Sequence, residues 1–226
     1  MIPWELLDTA DVPDGTGQLR LMRRGAEFSI RIGGDELMNS RLSGSEEALA
    51  TLACRAIAAM PTPNVLIGGL GMGFTLRAAL AALPANSAIT VCELVPAVVA
   101  WARGAMSSLF ADSLGDPRVR IVENDIGAVI HAQRAAYEAI LLDVDNGPEG
   151  LTRTKNDRLY STAGLTAARD ALQPHGVLAV WSARAYPPFT AHLRKQGFAV
   201  SEHRVRADRG KRGALHMIWL ATKPQS

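Results

Sequence analysis

The chain has 226 residues, of which 48% are hydrophobic, and its formal net charge is +2. This length suits one large α/β domain with a small addition, and the low charge gives no indication of nucleic-acid binding. No apolar stretch is long enough for a membrane span, and the start of the chain, which carries Glu5, lacks the basic region of a signal peptide. Cys54 and Cys92 both lie among apolar residues, which indicates buried thiols in a reducing compartment. We therefore expect a cytoplasmic protein that binds neither membranes nor nucleic acid.

Residues 1–42 are predicted to form a polar leader followed by a small antiparallel β unit. Gly25 and the Gly33-Gly34 pair separate short apolar runs, a pattern typical of a β-hairpin. The strands are predicted at 18–24, 26–32 and 36–39. We expect this unit to cover a main domain of residues 43–226. That domain would begin with a helix, because Ser43 and Glu46 resemble a capping box.

From Val65 onward, apolar runs alternate with helical patterns. Near-continuous apolar strands of this kind are typical of a parallel sheet that is covered on both faces. The predicted strands are 65–69, 88–93, 119–122, 138–142 and 177–181. The predicted helices are 74–83, 96–106, 126–133, 162–172 and 189–196, with a turn at 173–176. Two final strands, 198–206 and 215–222, should pair antiparallel, which predicts a Rossmann-like class I methyltransferase fold with a mostly parallel seven-stranded sheet.

The stretch from Val65 to Gly73 runs from a predicted strand into a glycine-rich loop that opens a helix. Glycines allow a sharp turn with room for a ligand, and the free N–H groups of the new helix point toward it. Glu93 ends the next strand about 20 residues later, which is the spacing of a ribose-binding acid in nucleotide-binding α/β folds. The pattern therefore predicts a nucleoside site.

Further polar groups follow the other predicted strands, and the carboxyl ends of parallel strands share one edge of a sheet. At that edge Glu93 would accept hydrogen bonds from two ribose hydroxyls. Asp125 would accept one from an adenine amino group beside Ile126, although it also fits a helix N-cap. Asp143 would face the reacting end of the ligand, although a turn residue is the alternative there.

Several stretches resemble the spermidine synthase family. They are Ile67–Gly73, Glu93 with Val95–Val99, Asp116–Val119, Tyr137–Asp143 and Leu172–Leu178. The resemblance covers nearly the whole chain and implies a class I S-adenosylmethionine-type fold, usually as a homodimer. It also implies transfer of an aminopropyl group from decarboxylated S-adenosylmethionine to putrescine, a small-molecule amine.

We expect a site without a metal ion, because the histidines and cysteines lack metal-ligand spacing. The residues expected to bind the co-substrate are Gly69, Gly71, Gly73, Glu93, Leu94, Asp125, Ile126 and Asp143. Asp143, with Asp145 near it, would accept the proton of the attacking amine. Two close carboxylates raise each other's pKa, which suits a base.

The chain departs from the family at three points. Gly71 stands where the family carries an aspartate, and Ser43-Gly44-Ser45 precedes Glu46 where a Tyr-His pair is usual. The loop 143–148 reads Asp-Val-Asp-Asn-Gly-Pro instead of Asp-Ser-Ser/Thr-Asp-Pro. Gly147–Asn156 is predicted to be a lid. Two alternatives stay open: methyl transfer from S-adenosylmethionine to a small molecule, and nucleoside binding without turnover. The reversed terminal strand pair disfavours a nicotinamide oxidoreductase.

Overall fold

The computed structural model describes residues 2–13, 17–144, 148, 158–208 and 213–225. Its smaller sheet contains β1 (Glu5–Asp11), β2 (Gln18–Arg24), β3 (Glu27–Ile32) and β4 (Asp35–Asn39). The strands of its larger sheet are β5 (Asn64–Gly68), β6 (Ala88–Glu93), β7 (Val119–Glu123), β8 (Tyr137–Leu142), β9 (Leu172–Ser182), β10 (Ala199–Arg206) and β11 (Leu215–Thr222). The helices are α1 (Gly44–Ala56), α2 (Phe74–Ala82), α3 (Pro96–Arg103), α4 (Ser107–Phe110), α5 (Ile126–His131), α6 (Thr162–Ala171) and α7 (Pro187–Lys195), with a short 3-10 helix at Ser113–Gly115.

The larger sheet has the order β10-β11-β9-β8-β5-β6-β7 among the described residues. Only β11 runs against the other strands of this described sheet, since it pairs antiparallel with both β9 and β10. The predicted fold class is therefore confirmed, including the antiparallel pairing of the last two strands. The carboxyl ends of β5, β6, β7 and β8 lie side by side, which brings the ends of the predicted ligand-binding strands together.

The two faces of the larger sheet pack in different cores, because neighbouring residues of a strand point to opposite faces. Val65 and Ile67 of β5 belong to a core that includes side chains of α1, α2, α3 and the smaller sheet. Leu66, between them, belongs to the core under α5, α6 and α7. The smaller sheet is thus held by apolar contacts shared with the larger one, and the domain boundary at residue 42 stays a prediction.

The smaller sheet has one strand more than predicted. Glu5–Asp11, interpreted as a polar leader, forms β1, which pairs antiparallel with β2 and has a register shift between Leu6 and Asp8. The strand is at the sheet edge and mostly exposed, so its sequence lacks the apolar alternation that signals a strand. The indole Nε1–H of Trp101 donates to the Asp8 carboxylate at 2.6 Å and ties β1 to α3.

Two further local predictions are wrong. Ser43 makes no side-chain cap for α1; instead the hydroxyl of Ser45 donates to the Glu46 carboxylate at 2.7 Å. Residues 173–176, predicted as a turn before a strand, lie inside β9, where the pairing with β8 advances from Leu172 to Val177. The extra residues bulge out of the ladder there, and His175 adopts a φ of 63°. No helix of the described chain is long and apolar enough to cross a membrane.

Candidate functional site

Two adjoining cavities lie at the carboxyl ends of β5, β6, β7 and β8. The first cavity has one wall formed by these strand ends and another formed by apolar side chains of the smaller sheet: Leu19, Ile30, Ile32, Leu37 and Met38. The second cavity extends from it toward α1 and the end of β9. The two cavities share Leu37, Met38, Gly71 and Asp143. The smaller sheet therefore supplies part of the site, a contribution that the sequence did not reveal.

The glycine loop adopts backbone conformations that favour glycine. Gly69, Gly71 and Gly73 have φ values of 93°, 50° and 76°. A Cβ at Gly69 would collide with the carbonyl oxygen of Asp143, and one at Gly73 would collide with the ring of Phe110. Gly69 and Gly71 line the first cavity, as expected of nucleoside-binding residues, whereas Gly73 lines the second. Gly73 thus contributes close packing at the start of α2 and not a wall of the first cavity.

Glu93 is buried with 8% of its surface exposed, and it binds the glycine loop. Its Oε2 accepts a hydrogen bond from the backbone N–H of Leu70, and its Oε1 accepts one from the N–H of Val95, both at 2.9 Å. Burial raises the pKa of Glu93, and the backbone N–H groups oppose that rise. A carboxylate has about four acceptor positions, and these two bonds use one position on each oxygen.

The strand ends β6 and β7 place Leu94, Asp125 and Ile126 in the first cavity. The exposed Asp125 also caps α5, since its Oδ1 accepts from the N–H of Ala128 at 2.8 Å. The alternative interpretation as an N-cap is therefore correct, and it leaves Oδ2 available to a ligand. Ile126 packs close against Gly68, where an added Cβ would lie 2.9 Å from Ile126 Cγ1.

Asp143 lies where the two cavities meet. Its Oδ2 accepts a hydrogen bond from Thr75 Oγ1 at 2.6 Å, and its backbone N–H donates to the Gly68 carbonyl at 3.0 Å. Burial and the nearby charge of Glu46 raise the pKa of Asp143 to about 7, and the bond from Thr75 opposes the rise. Burial also raises the pKa of Glu46, which lines the second cavity. The sequence predicted Asp143 but gave Glu46 only a capping role.

The other residues near the site differ in whether they line one of the two cavities. Trp181 lines the second cavity, whereas Tyr160 packs edge to face on Phe189 with the ring centroids 5.5 Å apart and lines neither cavity. Asp145 and most of the predicted lid, Gly147–Asn156, lie outside the described residues. The described part of the chain has no cluster of three residues suited to hold a metal ion.

Comparison with known proteins identifies the family to which these cavity-lining residues belong. Residues 45–187 match the family described as the spermine/spermidine synthase domain. The chain belongs to this family. The matched part contains Glu46, the glycine loop, Glu93, Asp125 and Asp143, so most of the polar groups of both cavities come from the family's own domain.

Curated proteins similar to this chain include polyamine aminopropyltransferases. The chain is 31% identical over 153 residues to the polyamine aminopropyltransferase of Mycobacterium tuberculosis. The aligned region covers 63% of this chain and 28% of that protein. It is 29% identical over 153 residues to polyamine aminopropyltransferase 1 of Streptomyces coelicolor, covering 64% of this chain and 28% of that protein. The chain thus spans little more than a quarter of the length of these relatives.

Solved structures share the fold. Spermidine synthase from Thermotoga maritima superposes with a TM-score of 0.75 at 17% identity, covering 98% of this chain and 73% of that chain. A spermidine synthase in complex with the transition-state analogue AdoDATO superposes with a TM-score of 0.74, with the same identity and coverage. At identities this low, the superpositions show a shared Rossmann-like fold. The roles of individual residues are argued from the geometry of this site.

Proposed function

We propose that this chain is an aminopropyltransferase that moves an aminopropyl group from decarboxylated S-adenosylmethionine to an amine acceptor. The observation that carries the proposal is the position of Asp143. It lies at the junction of two cavities, one suited to an adenosine group and one that holds a second carboxylate, Glu46. A base at such a junction meets the reacting ends of two substrates at once.

The first cavity fits the adenosine part of the co-substrate. Glu93 offers carboxylate oxygens to the ribose hydroxyls, and the free Oδ2 of Asp125 offers an acceptor to the adenine amino group. Leu94, Ile126 and the apolar wall of the smaller sheet provide apolar contacts for the base. Gly69 lets the loop backbone pass close to the Asp143 carbonyl, where an added Cβ would collide.

In this reaction the protein positions the two substrates and accepts one proton. The acceptor nitrogen forms a bond to the aminopropyl carbon while the carbon–sulfur bond breaks, and the sulfur leaves as the neutral thioether of methylthioadenosine. The amine must lose its proton to become a nucleophile, and Asp143 accepts that proton. A carboxylate whose pKa is raised to about 7 by burial and by the charge of Glu46 is a stronger base than an exposed aspartate.

The acceptor would lie in the second cavity, where its ammonium group meets two carboxylates. Glu46 and Asp143 supply negative charge there, and Trp181, Met72 and Phe74 line the same space with apolar surface. Gly71 carries no carboxylate where the family has one, so Glu46 takes a larger share of the charge that faces the amine. Asp145 as a second base, a homodimer and a cytoplasmic location stay predictions.

The experiment incubates the protein with decarboxylated or intact S-adenosylmethionine and a panel of diamines and monoamines, and it detects products by mass spectrometry. The expected result is methylthioadenosine together with an acceptor that carries one aminopropyl group. Asp143→Asn should lower turnover by about 100-fold or more. Asp170→Asn is the matched control, because Asp170 pairs with Arg134 outside both cavities. Methyl transfer from the intact co-substrate, or binding without any product, would overturn the proposal.

A further inference from the structure

Glu46 is connected by hydrogen bonds to a histidine at the far end of the chain. The hydroxyl of Ser45 donates to Glu46 Oε2 at 2.7 Å, and the Nδ1 atom of His216 lies 2.9 Å from the same hydroxyl. Ser45 is fully buried at the start of α1, and His216 projects from β11. Three side chains thus form a line from the body of the larger sheet to the wall of the second cavity.

Which group donates in each of these two hydrogen bonds follows from the number of hydrogens that the groups carry. A hydroxyl has one hydrogen, and a carboxylate can only accept when it is ionised, so in that state the hydrogen of Ser45 is committed to Glu46. Ser45 can therefore only accept from His216, whose Nδ1 must carry a hydrogen. Burial lowers the pKa of His216, so this is the neutral imidazole with its hydrogen on Nδ1 at neutral pH.

The ring of His216 is held in place from the other side. Trp181 packs edge to face on it with centroids 4.8 Å apart and an interplanar angle of 82°. His216 also lies on the face of β11 that carries Ile218 and Leu220, both of which pack in the core that contains α1. The imidazole therefore has little freedom to turn its Nδ1 away from Ser45.

We propose that His216 is a positioning residue for the second cavity: by donating to Ser45, it directs the hydroxyl of Ser45 onto Glu46 and fixes that carboxylate beside Asp143. Its effect on catalysis rests on the proposed function, in which the charge of Glu46 raises the pKa of the base, Asp143. A hydrogen bond to a carboxylate favours its charged form, so loss of the donor favours protonation of Glu46. A neutral Glu46 no longer raises the proton affinity of Asp143.

Other charged groups near Glu46 lie on α1 itself and on the elements that pack against α1. Asp143 follows β8. Glu47, on the same helix as Glu46, raises the pKa of Glu46 through its charge. Arg77 of α2 donates to the Leu109 carbonyl, and Arg206 of β10 donates to the Gly213 carbonyl. Each of these guanidinium groups thus has a backbone carbonyl as a partner, while Ser45, which contacts His216 of the larger sheet, donates to Glu46.

The test measures the titration of the two carboxyl groups directly, by ¹³C NMR of protein labelled at the Asp and Glu carboxyl carbons. Glu46→Gln and Asp143→Asn assign the signals. In Ser45→Ala and His216→Phe, the midpoint of Glu46 should rise by about 0.5 pH unit or more, about threefold in proton affinity, and the midpoint of Asp143 should fall. His216→Asn, whose amide N–H replaces the Nδ1 donor, should titrate like the unmodified protein.

Two comparisons separate positioning from general packing. His203→Phe, a histidine of the same strand pair that contacts Ser201 instead, should leave both midpoints unchanged. The double variant Ser45→Ala/His216→Phe should match Ser45→Ala alone, because the histidine acts through the serine. Additive shifts in the double variant, or equal effects of His216→Asn and His216→Phe, would overturn the inference. The titration needs no turnover, so an inactive protein with the expected shifts would refute the proposed function and leave the positioning role standing.

Discussion

Thr75 Oγ1 donates a 2.6 Å hydrogen bond to Asp143 Oδ2, and this bond joins the first turn of α2 to the residue that follows β8. The hydroxyl also lies 3.4 Å from the Glu46 carbonyl, but its one hydrogen serves the closer carboxylate. Because the bond stabilises the charged form of Asp143, it holds the pKa of the proposed base lower than burial alone would leave it.

Thr75→Val should therefore raise the pKa of Asp143 above about 7. The acid limb of the kcat/KM profile should move to higher pH, and activity at pH 7 should fall by about three- to tenfold. Thr75→Ser keeps the donor and is the matched control, with a profile close to that of the unmodified protein. A pH profile that is identical for Thr75→Val and Thr75→Ser would show that the bond does not tune the base.

The raised pKa of Asp143 also predicts how stability depends on pH. The pKa moves from an ordinary value of 3.8 to about 7 on folding, so folding favours the protonated form. The contribution of this group to stability is complete below about pH 3.8 and is lost as the pH rises through about 7.

Asp143→Asn removes this titration and keeps an oxygen that can accept from Thr75. The melting temperature of the variant minus that of the unmodified protein should therefore increase from pH 5 to pH 8 by about 2 °C or more. Asp170→Asn serves again as the control, because Asp170 lies at the surface and outside both cavities. A constant difference across this pH range would show that Asp143 titrates as an ordinary aspartate.

A residue of the site could be predicted from the sequence where its position depends on local contacts of the chain. Glu93 and Asp143 could be predicted because each ends a parallel strand, and such ends converge wherever the strands pair. Glu46 could not, because its place in the site depends on the packing of α1 against the larger sheet. The same packing turns Ser45 inward to His216, 171 residues away, where the sequence pattern suggested only a local cap. The apolar wall from the smaller sheet depends on how two sheets meet, which no local pattern specifies.

Gly73 and Gly33 offer a test of the packing at the start of α2. Both have positive φ values, 76° and 55°, so alanine is strained at either position by about 1 to 2 kcal/mol. An added Cβ at Gly33 meets nothing within 4 Å, whereas at Gly73 it meets the buried ring of Phe110. Gly73→Ala should therefore lower the free energy of unfolding clearly more than Gly33→Ala, as measured by urea denaturation. Equal losses would mean that the ring moves aside without cost.

Asp125 can be separated into its two roles by one substitution. Its Oδ1 caps α5 through the N–H of Ala128, and Oδ2 is left for the proposed adenine amino group. Asparagine is as good an N-cap as aspartate, but its one oxygen is then used by the cap and its amide N–H₂ faces the adenine N–H₂.

Asp125→Asn should therefore keep the melting temperature within about 2 °C and weaken the binding of methylthioadenosine by about tenfold, as measured by calorimetry. Asp125→Ala should lose binding and also lower stability by about 1 kcal/mol, because it removes the cap as well. If Asp125→Asn binds as tightly as the unmodified protein while Asp125→Ala is merely less stable, Asp125 is a helix cap alone, and the adenine must be recognised by the backbone and the apolar wall.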